Sequence, residues 1–278
     1  MSAPASRWSP TRIRWIDRTL ETSTGASRVE TDQGSAYAKL LGNPEGPHAL
    51  FCDWVGTQAA AWLGLPTFEV AVVEVTEAGI VTYSNGTLSQ MGPAFVARAE
   101  PGSTWGGTED ELDAVENPDA LSGLIVLDTW LLNCDRFRPE AGRTRRNTRN
   151  VFLTERDAGR GKLRVVAMDH THCFTCGSSL TTAIRSIDRV QDARIYGHFP
   201  EFQPFLTHQA VRRFCSRLGG LTNAVAGTFV AGAPHAWDIR DDVRAALVDF
   251  LADRAAFLAP RLRTMLVDQA VLQPELDV

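Results

Sequence analysis

Lysine is almost missing from this chain: of its 28 basic residues only Lys39 and Lys162 are lysine, the rest being arginine. Where bare positive charge suffices the chain uses Arg. A lysine set on a strand, as Lys39 is expected to be, therefore points to a need for a compact ammonium on a flexible stem. Runs of about 18 apolar residues are also missing, so no membrane-spanning helix is expected. The first twenty residues mix Arg, Pro and Trp without an apolar core, and with no secretory signal expected there a cytoplasmic setting follows. Cysteine is sparse: five, an odd number and widely spaced, make no disulfide framework. Reduced thiols are the expectation, with Cys52, Cys134 and Cys215 as small core residues. No GxGxxG motif, internal repeat or low-complexity tract occurs. The formal net charge of -5 argues against a generic binder of polyanions while leaving room for a local basic patch. At 278 residues the chain can bury one or two cores without help from a metal or a partner copy.

The pattern from Ser27 to Leu41 is a hairpin, with a turn at Asp32, Gln33 and Gly34 and strict alternation placing Tyr37, Lys39 and Leu41 on one face. Upstream, Ser23 to Ser27 is a polar loop whose backbone N–H groups suit a phosphate; with a single glycine, a plain turn is the competing reading. Residues 47–63 predict a helix ended by Gly64 and Pro66, with Phe51, Val55, Ala59 and Trp62 as its apolar stripe. Another face of that helix sets Asp53 among Gly56, Thr57 and Ala60, small enough for close approach to a sheet. Strands are expected at 67–75, 79–83 and within PAFVARAEPG. Composition changes after residue 100, which places a domain boundary there: 1–100 and 101–278. Beyond it come an acidic helix at 109–116 and a longer one with Asn117 as N-cap and Pro118 at its first position. The remainder, near 178–194, 207–219 and 240–266, is helical, with Pro260 expected to kink or break the last helix.

The stretch from Leu124 to Phe174 carries the chemistry. Helical spacing stops at Asn133, and Asp135 follows; Asn150 opens the apolar run VFLT; a glycine-bearing turn leads to LRVVAM, which ends at Asp169. A strand lysine, a helix carboxylate, then Asp, Asn and Asp around a hairpin is the equipment of phosphoryl transfer, which asks a protein for positioning and charge neutralisation rather than covalent help. Lys39 suits the α and β phosphates. Asn150 and Asp169 are hard oxygen ligands suited to Mg²⁺. Asp135 would orient or deprotonate the acceptor hydroxyl. Each residue alone is ordinary, since Asp and Asn are common at helix ends and turns.

Two neighbouring patterns compete for attention. HTHCFTC, residues 170–176, offers two His and a CxxC, but structural zinc usually takes two spaced pairs and no second pair follows. Arg138, Arg143, Arg145, Arg146 and Arg149 crowd the segment between Asp135 and Asn150, and are read either as a solvated loop or as a rim that meets an anionic partner.

These residues resemble the HipA-like kinase family, a branch of the protein-kinase-like and phosphoinositide-kinase-like superfamily, over roughly residues 20–266. The similarity rests on the Gly25-Ala26-Ser27 loop with YAKLL, on AAAWLGLP, PAFVARAEPG, LDTWLLNCDR, RNVFL and VAMDHTHCF, and on Trp237 ahead of a helix. It implies an α+β, two-lobed fold with ATP clamped between a β-rich N-lobe and a helical C-lobe. It also implies Lys39 as the ATP-binding lysine, Asp135 as the catalytic aspartate and Asn150 with Asp169 as metal ligands. An adenine-binding hinge would fall at Phe95 to Glu100, including Val96 and Arg98. Two features depart from the family pattern. Asp53 stands where a glutamate is usual, so it reaches Lys39 only if the helix moves inward or a water intervenes, and Asp135 and Asn150 stand fifteen residues apart, farther than a short catalytic loop spans. The expected activity is ATP- and Mg²⁺-dependent transfer of the γ-phosphoryl group to a hydroxyl, a protein Ser or Thr above all. The alternatives are a lipid or small-molecule kinase and a catalytically weak nucleotide-binding scaffold.

Overall fold

The computed structural model describes residues 8–138 and 145–268. Strands β1 (Ile13–Thr19), β2 (Ser27–Thr31) and β3 (Gly34–Lys39) run into helix α1 (Pro47–Leu63), followed by β4 (Val70–Val75) and β5 (Gly92–Arg98). They form one antiparallel sheet in the order β1-β2-β3-β5-β4. The two-residue period of β3 decides what each face does. Ala36, Ala38 and Leu40 point to an outer cluster with Trp8, Val29, Val73, Val75, Ala94 and Val96. Tyr37 and Lys39 take the other face, paired across the ladder with Ala97 and Phe95.

Helix α1 begins with Pro47 in its first turn and ends on Gly64 in the left-handed conformation, whose N–H returns to Ala60 and Ala61. Its apolar side belongs to the main core: Leu50, Phe51, Val55 and Ala59 share one buried cluster with Leu124, Trp130, Phe214, Leu247 and Phe250. The sheet is thus riveted through α1 to everything that follows.

After β6 (Gly102–Thr104) come α2 (Glu109–Asp113), α3 (Asp119–Leu131), a two-stranded ribbon of β7 (Phe137–Arg138) with β8 (Arg145–Arg146), and a hairpin of β9 (Val151–Thr154) with β10 (Arg164–Ala167). β6 adds to the hairpin as its third strand. Helices α4 (Ile187–Val190), α5 (His208–Gly219), α6 (Asn223–Ala231) and α7 (Asp241–Arg263) complete the chain. Thr108 and Glu111 close a capping box at α2. The last carbonyls of α3, which the helix itself leaves without donors, find an unusual partner: the fully buried Arg254 of α7 donates to the carbonyls of Thr129 and Trp130. None of the described helices is long and apolar enough to cross a membrane.

Several local expectations change. Residues 79–83 make no strand; a 3-10 turn at Glu77–Gly79 and a single bridge, Thr82 to Leu88, stand there instead. Asn117 does not cap α3. Its side chain bonds both the N–H and the carbonyl of Val165, tying the helix start to β10, and Pro118 takes the cap position. The region 178–194 holds only a 3-10 turn and the short α4. Helix α7 runs through Pro260 to Arg263. Among the thiols, Cys134 and Cys176 are paired through their sulfurs with Cα atoms 5.7 Å apart, against the expectation of five reduced cysteines, while Cys52, Cys173 and Cys215 are free and buried.

Candidate active site

The site is built where the end of β3, the first half of α1, the turn after α3 and the loop after β10 converge. Lys39 Nζ donates to Asp53 Oδ2 at 2.5 Å, to Asp169 Oδ1 at 3.0 Å and to Thr171 Oγ1 at 2.7 Å. Asp53 Oδ1 accepts from the backbone N–H of His170 at 2.7 Å. The shorter acid reaches Lys39 directly, without a water, because α1 comes close: the imidazole of His170 lies against Gly56, where any Cβ would overlap that of His170. The small face read from the sequence is the contact that makes Asp53 long enough.

Asp135 and Asn150 meet although they stand fifteen positions apart in sequence. The β7–β8 ribbon folds the excursion back on itself, pairing Phe137 with Arg146 and Arg138 with Arg145, and a 3-10 turn at Thr148–Asn150 delivers the asparagine. Asn150 Nδ2 then donates to Asp135 Oδ2 at 2.8 Å. Arg143, expected in the same basic stretch, lies outside the described residues. Beneath the pair the fully buried Arg136 binds Asp128 Oδ2 at 2.7 Å, the Asn150 carbonyl, and the Met168 carbonyl at 3.1 Å. One guanidinium thus grips the backbone at Asn150 and just before Asp169.

His172 spans the site, its Nδ1 3.2 Å from Asp135 Oδ2 and its Nε2 3.2 Å from Glu45 Oε1. These two carboxylates outweigh its partial burial and push its pKa up to about 10, so it is protonated at neutral pH. His170 is the opposite case: burial pushes it down to about 3, and neither ring nitrogen has a hydrogen-bond partner. Burial also opposes the charge on Lys39, but Asp169 and Asp53 overcome it and hold the ammonium above its usual range. For Asp169, burial is outweighed by Lys39 and Thr171, so its carboxyl lies well below the ordinary carboxylate range. Asp135 is lowered too, His172 and Arg145 overcoming burial. Asp53 moves the other way, raised by burial despite Lys39.

The remaining candidates sit as follows. Phe95 is buried beside Lys39, whereas the Val96 side chain belongs to the outer cluster and faces away. Arg98 binds Glu69 at 2.5 Å, and Arg156 joins Glu69 to Glu100, making a polar strap behind the connection from β5 to β6. Gly25 has a positive φ of 60° and lies under the Tyr83 ring, with no room for a Cβ. Its N–H and that of Ala26 bond within the loop, to Thr22, and Ser27 is buried with its hydroxyl against Thr19. Clefts of about 400 and 230 Å³ lie elsewhere, lined by neither Lys39 nor the Asp135, Asn150 and Asp169 group.

The HTHCFTC run disperses: His170 packs on Gly56, His172 bridges carboxylates, Cys173 is buried and Cys176 turns to Cys134. Among the described residues no three His, Cys, Asp or Glu groups gather to hold a metal. The Asn150 and Asp169 pair fits a hard cation on its own terms. Asn150 spends its amide nitrogen on Asp135, leaving the oxygen, and Asp169 uses only Oδ1 for Lys39 and Thr171. Sequence reasoning missed Thr171, His172, Glu45, Arg136 and the role of Arg145. Only the proximity of Thr171 and His172 to Asp169 could have flagged any of them.

A lysine anchored by a helix carboxylate above an Asp, Asn and Asp constellation, under a five-stranded sheet and over a helical body, defines a kinase-type phosphotransferase. Solved structures agree on the fold. A Helicobacter pylori proinflammatory kinase, CtkA, is similar with a TM-score of 0.56 at 13% identity, over 94% of this chain and 98% of that one. The Golgi casein kinase with Mn and ADP bound is similar with a TM-score of 0.52 at 9% identity, over 97% of this chain and 78% of that one. No curated protein matches by sequence. The HipA-like kinase description matches residues 14–192, and the chain belongs to that family.

Proposed function

We propose that the protein transfers the γ-phosphoryl group of ATP, with Mg²⁺, to a protein Ser or Thr hydroxyl. The observation that supports this most is the meeting of Lys39, Asp53 and Asp169, residues up to 130 positions apart, next to an Asp135–Asn150 pair. In this reading residues 1–100 form the nucleotide-covering lobe and 101–278 the catalytic one. Lys39, held by Asp53, meets the α and β phosphates. Phe95 and the backbone toward Glu100, by way of Val96 and Arg98, flank the adenine; Gly25 and Ser27 shape the loop above the phosphates. Asn150 and Asp169 hold the metal, which neutralises phosphate charge when bound. Asp135 is ionised and a weak base, so its work is to orient the acceptor hydroxyl by accepting its hydrogen bond and to take the proton late.

Incubation with labelled ATP and Mg²⁺, alone and with lysate, tests the reading. Wild type should label itself or a protein, and Asp135→Asn should lose label by about 10²-fold or more while still gaining thermal stability from ATP. Equal labelling by both would end the kinase reading; an ATP-dependent thermal shift without any labelling would favour a nucleotide-binding scaffold.

A further inference from the structure

An ionised carboxylate can only accept hydrogen bonds, whereas a neutral imidazole offers one donor nitrogen and one acceptor. His172 sets its two ring nitrogens against two carboxylates, Nδ1 3.2 Å from Asp135 Oδ2 and Nε2 3.2 Å from Glu45 Oε1. Only the imidazolium, with a proton on each nitrogen, satisfies both contacts, and the raised pKa of the ring agrees. The ring is also held in place, because Gly177 packs on it so closely that a Cβ there would overlap the imidazole. Its loop is tied on several sides: the Phe174 N–H donates to the Leu131 carbonyl at 2.7 Å, Arg189 donates to the Phe174 carbonyl at 2.8 Å, and His48 of α1 donates to the Gly177 carbonyl at 3.2 Å. Glu45 is fixed too, on the connection from β3 to α1. Its N–H donates to Asn43 Oδ1 at 3.0 Å, while the Asn43 amide nitrogen holds the Leu40 and Gly46 carbonyls. On Asp135, Asn150 at 2.8 Å and His172 converge on the same oxygen, Oδ2, from two different segments. Turning the carboxylate would break both bonds at once.

We propose that His172 is a positioning residue: a cation clamped by Glu45 that fixes the plane of the Asp135 carboxylate for the acceptor hydroxyl. This rests on the kinase reading of the site and adds to it a residue that acts through Asp135. Glu45 follows Lys39 on the sheet side of the site, and Asp135 follows α3 on the helical side. The clamp therefore closes only when those two sides are together, so the carboxylate is set for transfer in the same arrangement that brings Lys39 to Asp169.

Initial rates of ADP release from ATP and Mg²⁺, with water as the acceptor, provide the test. His172→Gln should lower kcat by about 10- to 100-fold, the scale of one charge-assisted hydrogen bond, while KM for ATP changes by less than about twofold. Glu45→Gln should lower kcat by a smaller factor, and the double variant should be no slower than His172→Gln alone, because Glu45 acts through the ring. His172→Arg, whose guanidinium can donate to both carboxylates, should recover most of the lost kcat. His208→Gln, at the exposed start of α5, should match wild type. An unchanged kcat in His172→Gln, a loss confined to KM, or additive effects of the two single variants overturns the clamp. The ¹⁵N shifts of the His172 ring at neutral pH, assigned by their absence from His172→Gln, need no turnover. Two protonated nitrogens, with the Nδ1 signal moved by Asp135→Asn, support the clamp even in a protein that releases no ADP, a result that would count against the kinase reading alone. A ring with one bare nitrogen sinks the clamp whatever the turnover.

Discussion

At the scale of single residues, two histidines two positions apart behave as opposites because of what surrounds them. His172, between Asp135 and Glu45, is raised above its unfolded value of 6.5 to about 10. Its contribution to stability is fully present below pH 6.5 and is lost as pH rises toward 10. His170 is buried and lowered to about 3, so the unfolded chain binds the extra proton first, and stability falls as pH drops below 6.5. Depressed carboxylates such as Asp135 and Asp169 add to that acid loss, at lower pH. Urea midpoints measured across pH should therefore peak near 6.5. His172→Gln should flatten the alkaline arm and leave the acid arm; an unchanged alkaline arm would show that the bridge to Asp135 and Glu45 carries no proton linkage. If Lys39, held by Asp53, Asp169 and Thr171, meets the phosphates as proposed, Lys39→Ala should weaken ATP binding as well as turnover, and a nucleotide thermal shift equal to wild type would remove its phosphate role.

At the scale of elements, the approach of α1 to the loop after β10 decides whether Asp53 meets Lys39. Gly56→Ala places a methyl where His170 already sits, so helix and loop must separate. The expected cost is about 1–3 kcal/mol, the range for overpacking a filled site, together with weaker ATP binding as the Lys39–Asp53 contact lengthens. Gly227→Ala on α6, where a Cβ meets open space, should instead be neutral or stabilising by about 0.4–1 kcal/mol. Thermal melts of the two variants with and without ATP check both; equal effects would mean that glycine's entropy, not close approach, matters at position 56. The ribbon of β7 and β8 is the other decisive element. Sequence spacing measures chain length and carries no sign of whether the excursion between Asp135 and Asn150 returns to its start, so the ribbon's pairing is a property of the folded backbone alone.

At the scale of the molecule, the segments that carry Asn150 and Asp169 hang on a buried ion pair. Arg136 and Asp128 are both fully buried, and Arg136 also holds the backbone of Asn150 and Met168. Breaking such a pair by Arg136→Met strands a buried carboxylate and should cost about 3–5 kcal/mol, whereas Arg136→Met combined with Asp128→Asn should recover part of it. Denaturant titration reads the stability. If the single variant is as stable as wild type, the pair is not what unites α3 with the β9–β10 hairpin. Arg254 plays a comparable part, since its guanidinium closes the end of α3 from α7, 125 residues away in sequence.

Period-two alternation around Lys39, the helix from Pro47 to Gly64 and the placement of Asp135, Asn150 and Asp169 at element ends were legible in the sequence alone. Each depends on local geometry that side-chain spacing records directly. The family resemblance rested on the same stretches. What only the tertiary structure decided are relations between distant segments: Asp53 reaching Lys39 because His170 fits against Gly56, Asn150 reaching Asp135 by way of the ribbon, and His172 joining Glu45 to Asp135. Arg145 belongs with them, since a guanidinium in a basic loop reads as solvated charge until the fold brings a carboxylate beneath it. Pairing partners are chosen by packing in three dimensions, and no one-dimensional pattern records which faces will meet.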